Sequence, residues 1–220
     1  ALRCLFVVLA AYAAWGCSPP PPEGPYLNRG NGGEIRSLDP HYIQGQWEAN
    51  VLGDLQMGLA TEDARSRPIP GAAESWSVSP DGKTWTFHIR KHVWSDGAPV
   101  TAQDFVFAWR RILDPKTAAP YAYNMWVIKN ARAISAGTLP TTALGAHAVD
   151  DRTLVVQLEH PANYLPELLT HEAAYPIPLH TYRKYGNACS RVKNYVSNGP
   201  YVVKDWIPND HVTLLKNPLF

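Results

Sequence analysis

The chain carries eight histidines and three cysteines, the side chains best suited to metal binding, acid–base work or nucleophilic attack. Their spacing builds none of these. No pair of histidines stands in an HExxH arrangement, so no helix face offers two imidazoles to zinc. No two cysteines form a CxxC pair, which removes a zinc knuckle or a redox dithiol. No serine sits in a GxSxG turn, and the Ser, His and Asp residues show no hydrolase spacing. Triads are assembled by geometry rather than by order, so a secreted hydrolase stays an alternative. The expectation is a chain with no catalytic residue, metal or cofactor, whose work is binding. A net charge of +1 with 18% charged residues also argues against nucleic acid as a partner, because phosphate contacts need clustered Lys and Arg. The one basic cluster, Arg110-Arg111, falls in an amphipathic helix pattern and reads as a solvated face.

The cysteine chemistry that remains lies at the start. Arg3, an apolar run from Leu5 to Ala14, and Trp15-Gly16-Cys17 have the order of an export signal. The run is about half of the roughly 20 residues that a spanning helix needs. A cysteine after a small residue looks like a lipobox, the site at which an exported protein is cut and acylated, so Cys17 is the lipidation candidate. Ala14 and Trp15 depart from the usual Leu and small residue, and an ordinary secretory signal cut nearby is the alternative. The absence of an initiator Met points to a clipped start. Ser18 to Tyr26 holds five prolines and reads as a stiff tether. Cys4 lies in the signal, which leaves Cys189 as a buried thiol or the partner of a cysteine beyond residue 220.

The rest must position a binding surface. Asn31 to Pro40 reads as a strand running into a turn. Val51, Leu52, Leu55 and Leu59 set a helical period over 47–60. Ala72 to Val78 begins a packed segment, and Ser79-Pro80-Asp81-Gly82 is a turn. Thr84 to Ile89 alternates as a strand does. Thr101 and Asp104 form a variant capping box for a helix whose buried stripe is Phe105, Ala108, Trp109 and Ile112. Asp114-Pro115 stops it. Two short strands over 146–158 join at Asp150-Asp151, a short helix covers 163–169, and an extended linker runs between Pro176 and Pro178. Tyr201 to Leu215 is a hairpin turning at Pro208-Asn209-Asp210. The order is mixed, without a βαβ rhythm or internal repeat, and the class is α+β. Eight Trp and eleven Tyr supply large flat amphipathic surfaces; most must be core, and the others can line a cavity, since aromatic walls suit peptides and sugars.

Several strings together resemble the family 5 extracellular solute-binding proteins, the receptors for oligopeptide uptake by ABC transporters. They are SLDPH at 37–41, VSPDGKTWTFHIRKHVWSDGAPVTAQDFVFAWRRILDP at 78–115, AAPYAY at 118–123, HAVDDRTLVVQLEHPANYLPELL at 147–169 and SNGPYVVKDWIPNDHVTLLKNPLF at 197–220. SLDPH, PYAY and SNGPY look most like the oligopeptide-binding branch, which also contains a murein-tripeptide receptor. The resemblance implies a periplasmic-binding-protein-like clamshell of two lobes (class II, cluster C). Only the first lobe and an accessory subdomain would be present. The expected boundaries are 1–17 signal peptide, 18–27 tether, 28–56 first part of lobe I, 57–178 accessory subdomain and 179–220 the truncated return to lobe I.

By the same resemblance, the turn Gln44-Gly45-Gln46 lies at the ligand edge. The best-known relatives have an acid at the position of Gln44. Tyr121 matches a tyrosine near the peptide's N-terminal end, and His171 falls where some relatives also have His. Each also reads plainly as a loop, core or surface residue. His41 and His88 belong to matched motifs and read as structural. The family acid that pairs with the ligand ammonium lies in the absent lobe. The implied work is capture of oligopeptides outside the cytoplasmic membrane and delivery to the permease subunits. The protein would be a monomer, periplasmic or lipid-anchored at the outer face. The alternatives are a murein tripeptide, nickel chelate, haem, opine or oligosaccharide as ligand, or a fragment inert by itself.

Overall fold

The computed structural model describes residues 26–220. The expected export signal, Cys17 and most of the expected proline tether lie outside the described residues. Every described helix and strand lies within Gly32–Phe220. No helix among the described residues is long and apolar enough to cross a membrane.

The main sheet is antiparallel, with strand order β3-β4-β6-β5. Its strands are β3 (Ala73–Val78), β4 (Thr84–Ile89), β5 (Ala146–Ala148) and β6 (Thr153–Gln157). Period-2 alternation decides its faces: Trp85, Phe87 and Ile89 are buried, and Thr84, Thr86 and His88 point the other way. Leu154 and Val156 alternate in register with them, Phe87 opposite Leu154 and Trp85 opposite Val156. Helix α2 (Ala102–Leu113) covers the buried face with Phe105, Ala108, Trp109 and Ile112. The capping box forms as expected: the Asp104 carboxylate accepts from the Thr101 N–H at 2.8 Å. It also accepts from Trp94 Nε1 and from the Leu179 N–H, so one buried acid ties the helix start to two distant loops. Short helices α3 (Ala131–Ser135), α4 (Leu165–Leu168) and α5 (Leu179–Tyr185) fill the rim.

A second, smaller core joins Ile35 and Leu38 to Val51 and Leu55 of helix α1 (Gln46–Leu55). The hairpin of β7 (Tyr201–Ile207) and β8 (His211–Lys216) packs against it through Val203, Trp206, Val212 and Leu214. Its turn places Asn209 at φ +62°, a left-handed conformation that Asn tolerates. Glu34 staples the hairpin by accepting from Trp206 Nε1 and the Asn209 N–H, both at 2.9 Å. The SNGPY motif has a structural reason. Buried Asn198 brackets Met57, accepting from its N–H at 3.0 Å and donating to its carbonyl at 2.9 Å. Gly199 lies so close to the end of α1 that a Cβ there would sit 2.8 Å from the Leu55 carbonyl.

Three expectations are corrected. Asn31–Pro40 is not a strand. Its groups are satisfied locally instead: the Arg36 N–H donates to buried Glu48, the Asp39 N–H donates to Ser37, and Asp39 caps a 3-10 turn, Pro40–Tyr42. The first helix stops at Leu55, five residues early. Beyond it, Leu59 and Gly58 accept from Gly71, Ala72 and Ala73, and Ala60–Glu62 (β1) pairs with Pro68–Pro70 (β2). Arg111 is not on a solvated face. Its side chain is buried, and its guanidinium donates to both carboxylate oxygens of Asp39 at 3.0 and 2.7 Å and to Asn187 at 3.1 Å. A helical wheel marks Arg111 as polar but cannot supply the acid that reaches it from 72 residues away.

His41 completes this knot. Its Nδ1 lies 2.7 Å from Arg111 Nη1. An arginine can only donate, so Nδ1 is the acceptor and the ring is neutral. Burial, opposed by Asp39 and reinforced by Arg111, holds the His41 pKa down at about 3. Burial would also lower the Arg111 pKa, but its hydrogen bonds and charge pairing with Asp39 raise it on balance.

Replacing Arg111 with Met leaves Asp39 buried and unpaired and costs about 3–5 kcal/mol of stability in urea unfolding. His41 predicts a pH dependence. Between 6.5 and about 3 the unfolded chain holds a proton that the fold excludes. Stability therefore falls on acidification through that window, by at most about 1.4 kcal/mol per pH unit. His41→Asn, which keeps an acceptor and removes the titration, flattens that slope in unfolding curves measured between pH 7 and 5.

Candidate functional site

Gln44-Gly45-Gln46 follows directly on the 3-10 turn that Asp39 and Arg111 hold. Gly45 is the N-cap of α1 in extended backbone at φ −173°, a conformation any residue adopts. Gln44 and Gln46 are exposed. Neither side chain is loose: the Gln44 carbonyl oxygen accepts from Arg36 Nη1 at 2.6 Å, and Gln46 Nε2 donates to Asn50 at 2.8 Å. Arg36 is a residue that sequence reasoning missed. Charge alone does not reveal it, because its contact spans eight positions of irregular chain.

Tyr121 precedes a 3-10 turn, Ala122–Met125, whose buried member is Met125. The AAPYAY string bends at Ala118, a left-handed residue at φ +50°. Tyr121 is half-buried, and its ring lies 5.0 Å from the His171 imidazole, tilted by 48°. His171 itself caps the next 3-10 turn, Glu172–Ala174, by accepting the Ala173 N–H on Nδ1 at 3.0 Å. That bond puts the ring proton of neutral His171 on Nε2, so the imidazole keeps one donor besides its ring face. Trp109 of α2 nails the same turn from below, donating Nε1–H to the Ala174 carbonyl at 2.9 Å.

The structure therefore brings two of the predicted residues into ring contact, although they are 50 positions apart. The 172–174 turn lies beside the 40–42 turn, α1 and the 122–125 turn. The segments next to Gln44 and Tyr121 and the helix that begins at Gln46 thus border one small 3-10 turn, but only Tyr121 and His171 are in contact, while Gln44 and Gln46 bond to Arg36 and Asn50. What they offer is neutral: amide groups, phenol, imidazole and aromatic faces. Such a set can hydrogen-bond and stack, but it holds no nucleophile beside a base. Among the described residues no group of three His, Cys, Asp or Glu could hold a metal ion. Cys189 is a buried thiol whose pKa is pushed up to about 11, chiefly by burial and then by the Asp39 charge. It is protonated and inert at neutral pH.

An open groove of about 540 Å³ lies elsewhere, lined by Glu74, Ser75, His88, Asp150, Arg152 and Thr153. It sits on the polar side of the main sheet. Its Arg152 is already committed to the Ile89 carbonyl and to Glu74. A small cavity of about 20 Å³ beside Asp39, Gln56, Cys189 and Tyr195 is too small for a peptide.

Comparison with known proteins agrees on what this architecture is. Residues 67–220 match the bacterial extracellular solute-binding proteins, family 5. The chain is 45% identical over 197 residues to the periplasmic oligopeptide-binding protein OppA of Escherichia coli, covering 88% of this chain and 36% of that protein. It is 37% identical over 187 residues to the E. coli periplasmic murein peptide-binding protein MppA, covering 84% of this chain and 34% of the other. Among solved structures, Haemophilus influenzae OppA in complex with RPPGFSPFR superposes with a TM-score of 0.83 at 46% identity, over 86% of this chain and 37% of that one. The unliganded open form of MppA superposes with a TM-score of 0.80 at 37% identity, over 84% of this chain and 36% of that one. The chain thus spans little more than a third of the length of these relatives, and its mixed α+β unit is part of their larger fold. On sequence and structure alike, this chain belongs to the family 5 bacterial extracellular solute-binding proteins.

Proposed function

We propose that this chain is the N-terminal part of an oligopeptide receptor. It would contribute the first lobe and accessory subdomain of a clamshell that captures peptides outside the cytoplasmic membrane and delivers them to an ABC permease. The observation that carries the reading is the 46% identity and TM-score of 0.83 to OppA in complex with RPPGFSPFR. Its support in the site is chemical. A receptor for peptides of varied sequence must hold the backbone and tolerate the side chains, which favours neutral hydrogen-bonding groups and aromatic walls over fixed charges. Gln44, Gln46, Tyr121 and His171 are groups of that kind. In the same reading 28–56 and 179–220 belong to one lobe and 57–178 to the accessory subdomain. The two hydrophobic cores divide along similar lines. The protein works as a monomer without cofactor or catalytic step, anchored by an acylated Cys17.

A murein tripeptide is the second reading, favoured by the 37% identity to MppA. Calorimetry on the full-length polypeptide separates the two. Short peptides bind with a Kd of about 1 μM or tighter, near 8 kcal/mol. Haem and chelated nickel give no heat under the same conditions. Preference for the murein tripeptide over every ordinary peptide overturns the first reading in favour of the second. Tyr121→Ala weakens peptide binding about tenfold, roughly 1.4 kcal/mol, by removing a wall of the site. For the anchor, Cys17→Ser abolishes palmitate incorporation in cells and moves the protein from the membrane to the soluble fraction.

A further inference from the structure

The surface next to Tyr121 is aromatic beyond what the core requires. From His171 the rings continue through Tyr121 to Tyr123, 5.8 Å away, and on to Trp126, 6.5 Å further and edge-on at 76°. Tyr123 is 52% exposed and Trp126 38% exposed. Leaving such rings in water forgoes the roughly 25 cal/mol per Å² that burial returns. Tyr123 lies in the 3-10 turn whose only buried residue is Met125, and Trp126 is its C-cap, so neither ring is part of the buried core. They are nevertheless held in place. Trp126 donates Nε1–H to Ser135 at 3.2 Å, and the Arg132 guanidinium lies 5.0 Å from the centre of its ring. A fixed, half-exposed aromatic surface binds with little loss of side-chain entropy.

We propose that Tyr123 and Trp126 extend the Tyr121–His171 site into a side-chain subsite. It takes an aromatic or long aliphatic side chain of the bound peptide and disfavours a basic one. The proposal rests on the oligopeptide-receptor reading. Its physical basis is the continuity of the ring row with Tyr121. The selection against Lys and Arg follows from Arg132, which covers Trp126 and repels a second cation there. Stacked or edge-to-face ring pairs are individually modest, so the subsite tunes preference among peptides and does not create binding by itself.

The test uses the full-length polypeptide and the nonapeptide RPPGFSPFR, with versions in which either Phe is replaced by Ala or by Lys. Calorimetry of the unaltered protein is expected to find one Phe position where Ala costs about three- to tenfold in affinity and Lys costs more. In the Tyr123→Ala/Trp126→Ala protein, checked for an unchanged fold by circular dichroism, the Phe-to-Ala affinity ratio falls toward one. The Lys penalty shrinks in Arg132→Gln. Trp126→Phe removes part of the fluorescence change that peptide binding produces. A Phe preference that persists in the double variant overturns this inference and leaves the receptor reading standing. So does protection of Trp126 from acrylamide without peptide, which would mean that the rest of the polypeptide covers the row. No binding of any peptide by the unaltered protein overturns the receptor reading and the subsite with it.

Discussion

The architecture around the site depends on one buried ion pair. Arg111 and Asp39 are taken almost wholly out of water, a step that is costly unless nearly every donor and acceptor finds a partner. Here the guanidinium reaches both oxygens of Asp39, the Asn187 side chain and the neutral Nδ1 of His41. Its plane is flanked by the Tyr42 and Tyr182 rings, each 5.5 Å away. Asp39 also caps the turn in which His41 sits. Helix α2, the 40–42 turn and the 182–187 segment are thereby fixed by a single side chain. Hydrophobic contact has no direction, so it could not set the turn in this orientation. Charge-assisted bonds with fork geometry can.

That orientation matters because the 40–42 turn has no strand partner to hold it. Gln44 and Gln46 begin two residues later, and their position is inherited from the knot. A similar logic operates on the other side of the site. The 172–174 turn is capped from within by His171 and fastened from beneath by Trp109. Tyr121 then rests on His171. Tyr121 and His171 thus rest on a turn held from the core by Trp109, while Gln44 and Gln46 bond to Arg36 and Asn50 at the surface. A rigid support with an uncharged edge suits recognition of a peptide backbone, where the positions of donors and acceptors matter more than net charge.

Much of this was legible where local rules act alone. The alternation of 84–89, the Thr101–Asp104 box, the stripe of α2 and the turn at 208–210 all depend on neighbours within a few residues, and all stand as read. The motif strings carried the family and the fold. The failures share a cause. Asn31–Pro40 looked like a strand because no local signal announces that Glu48 and Ser37 will satisfy its amides. Arg111 looked solvated because its acid lies far off in sequence. Arg36, Tyr123 and Trp126 went unmarked for the same reason, since their significance is a contact or a neighbouring ring. Tyr121 and His171 were found through resemblance, and no periodicity would have paired them.

Tyr121, Tyr123, Trp126 and His171 all keep part of their surface in water. In that state a hydrogen bond they make to a ligand only exchanges for one to solvent, and its net value is about 1 kcal/mol or less. Their stacking energy is similarly small per ring. A handful of such contacts does not offset the loss of translational and rotational freedom on binding. Tight capture therefore requires a second surface that closes over the same ligand, lowers the local dielectric and adds its own contacts. The described unit has the properties of one half of such an arrangement. In the proposed receptor, affinity would therefore depend on closure of that second surface over these exposed rings.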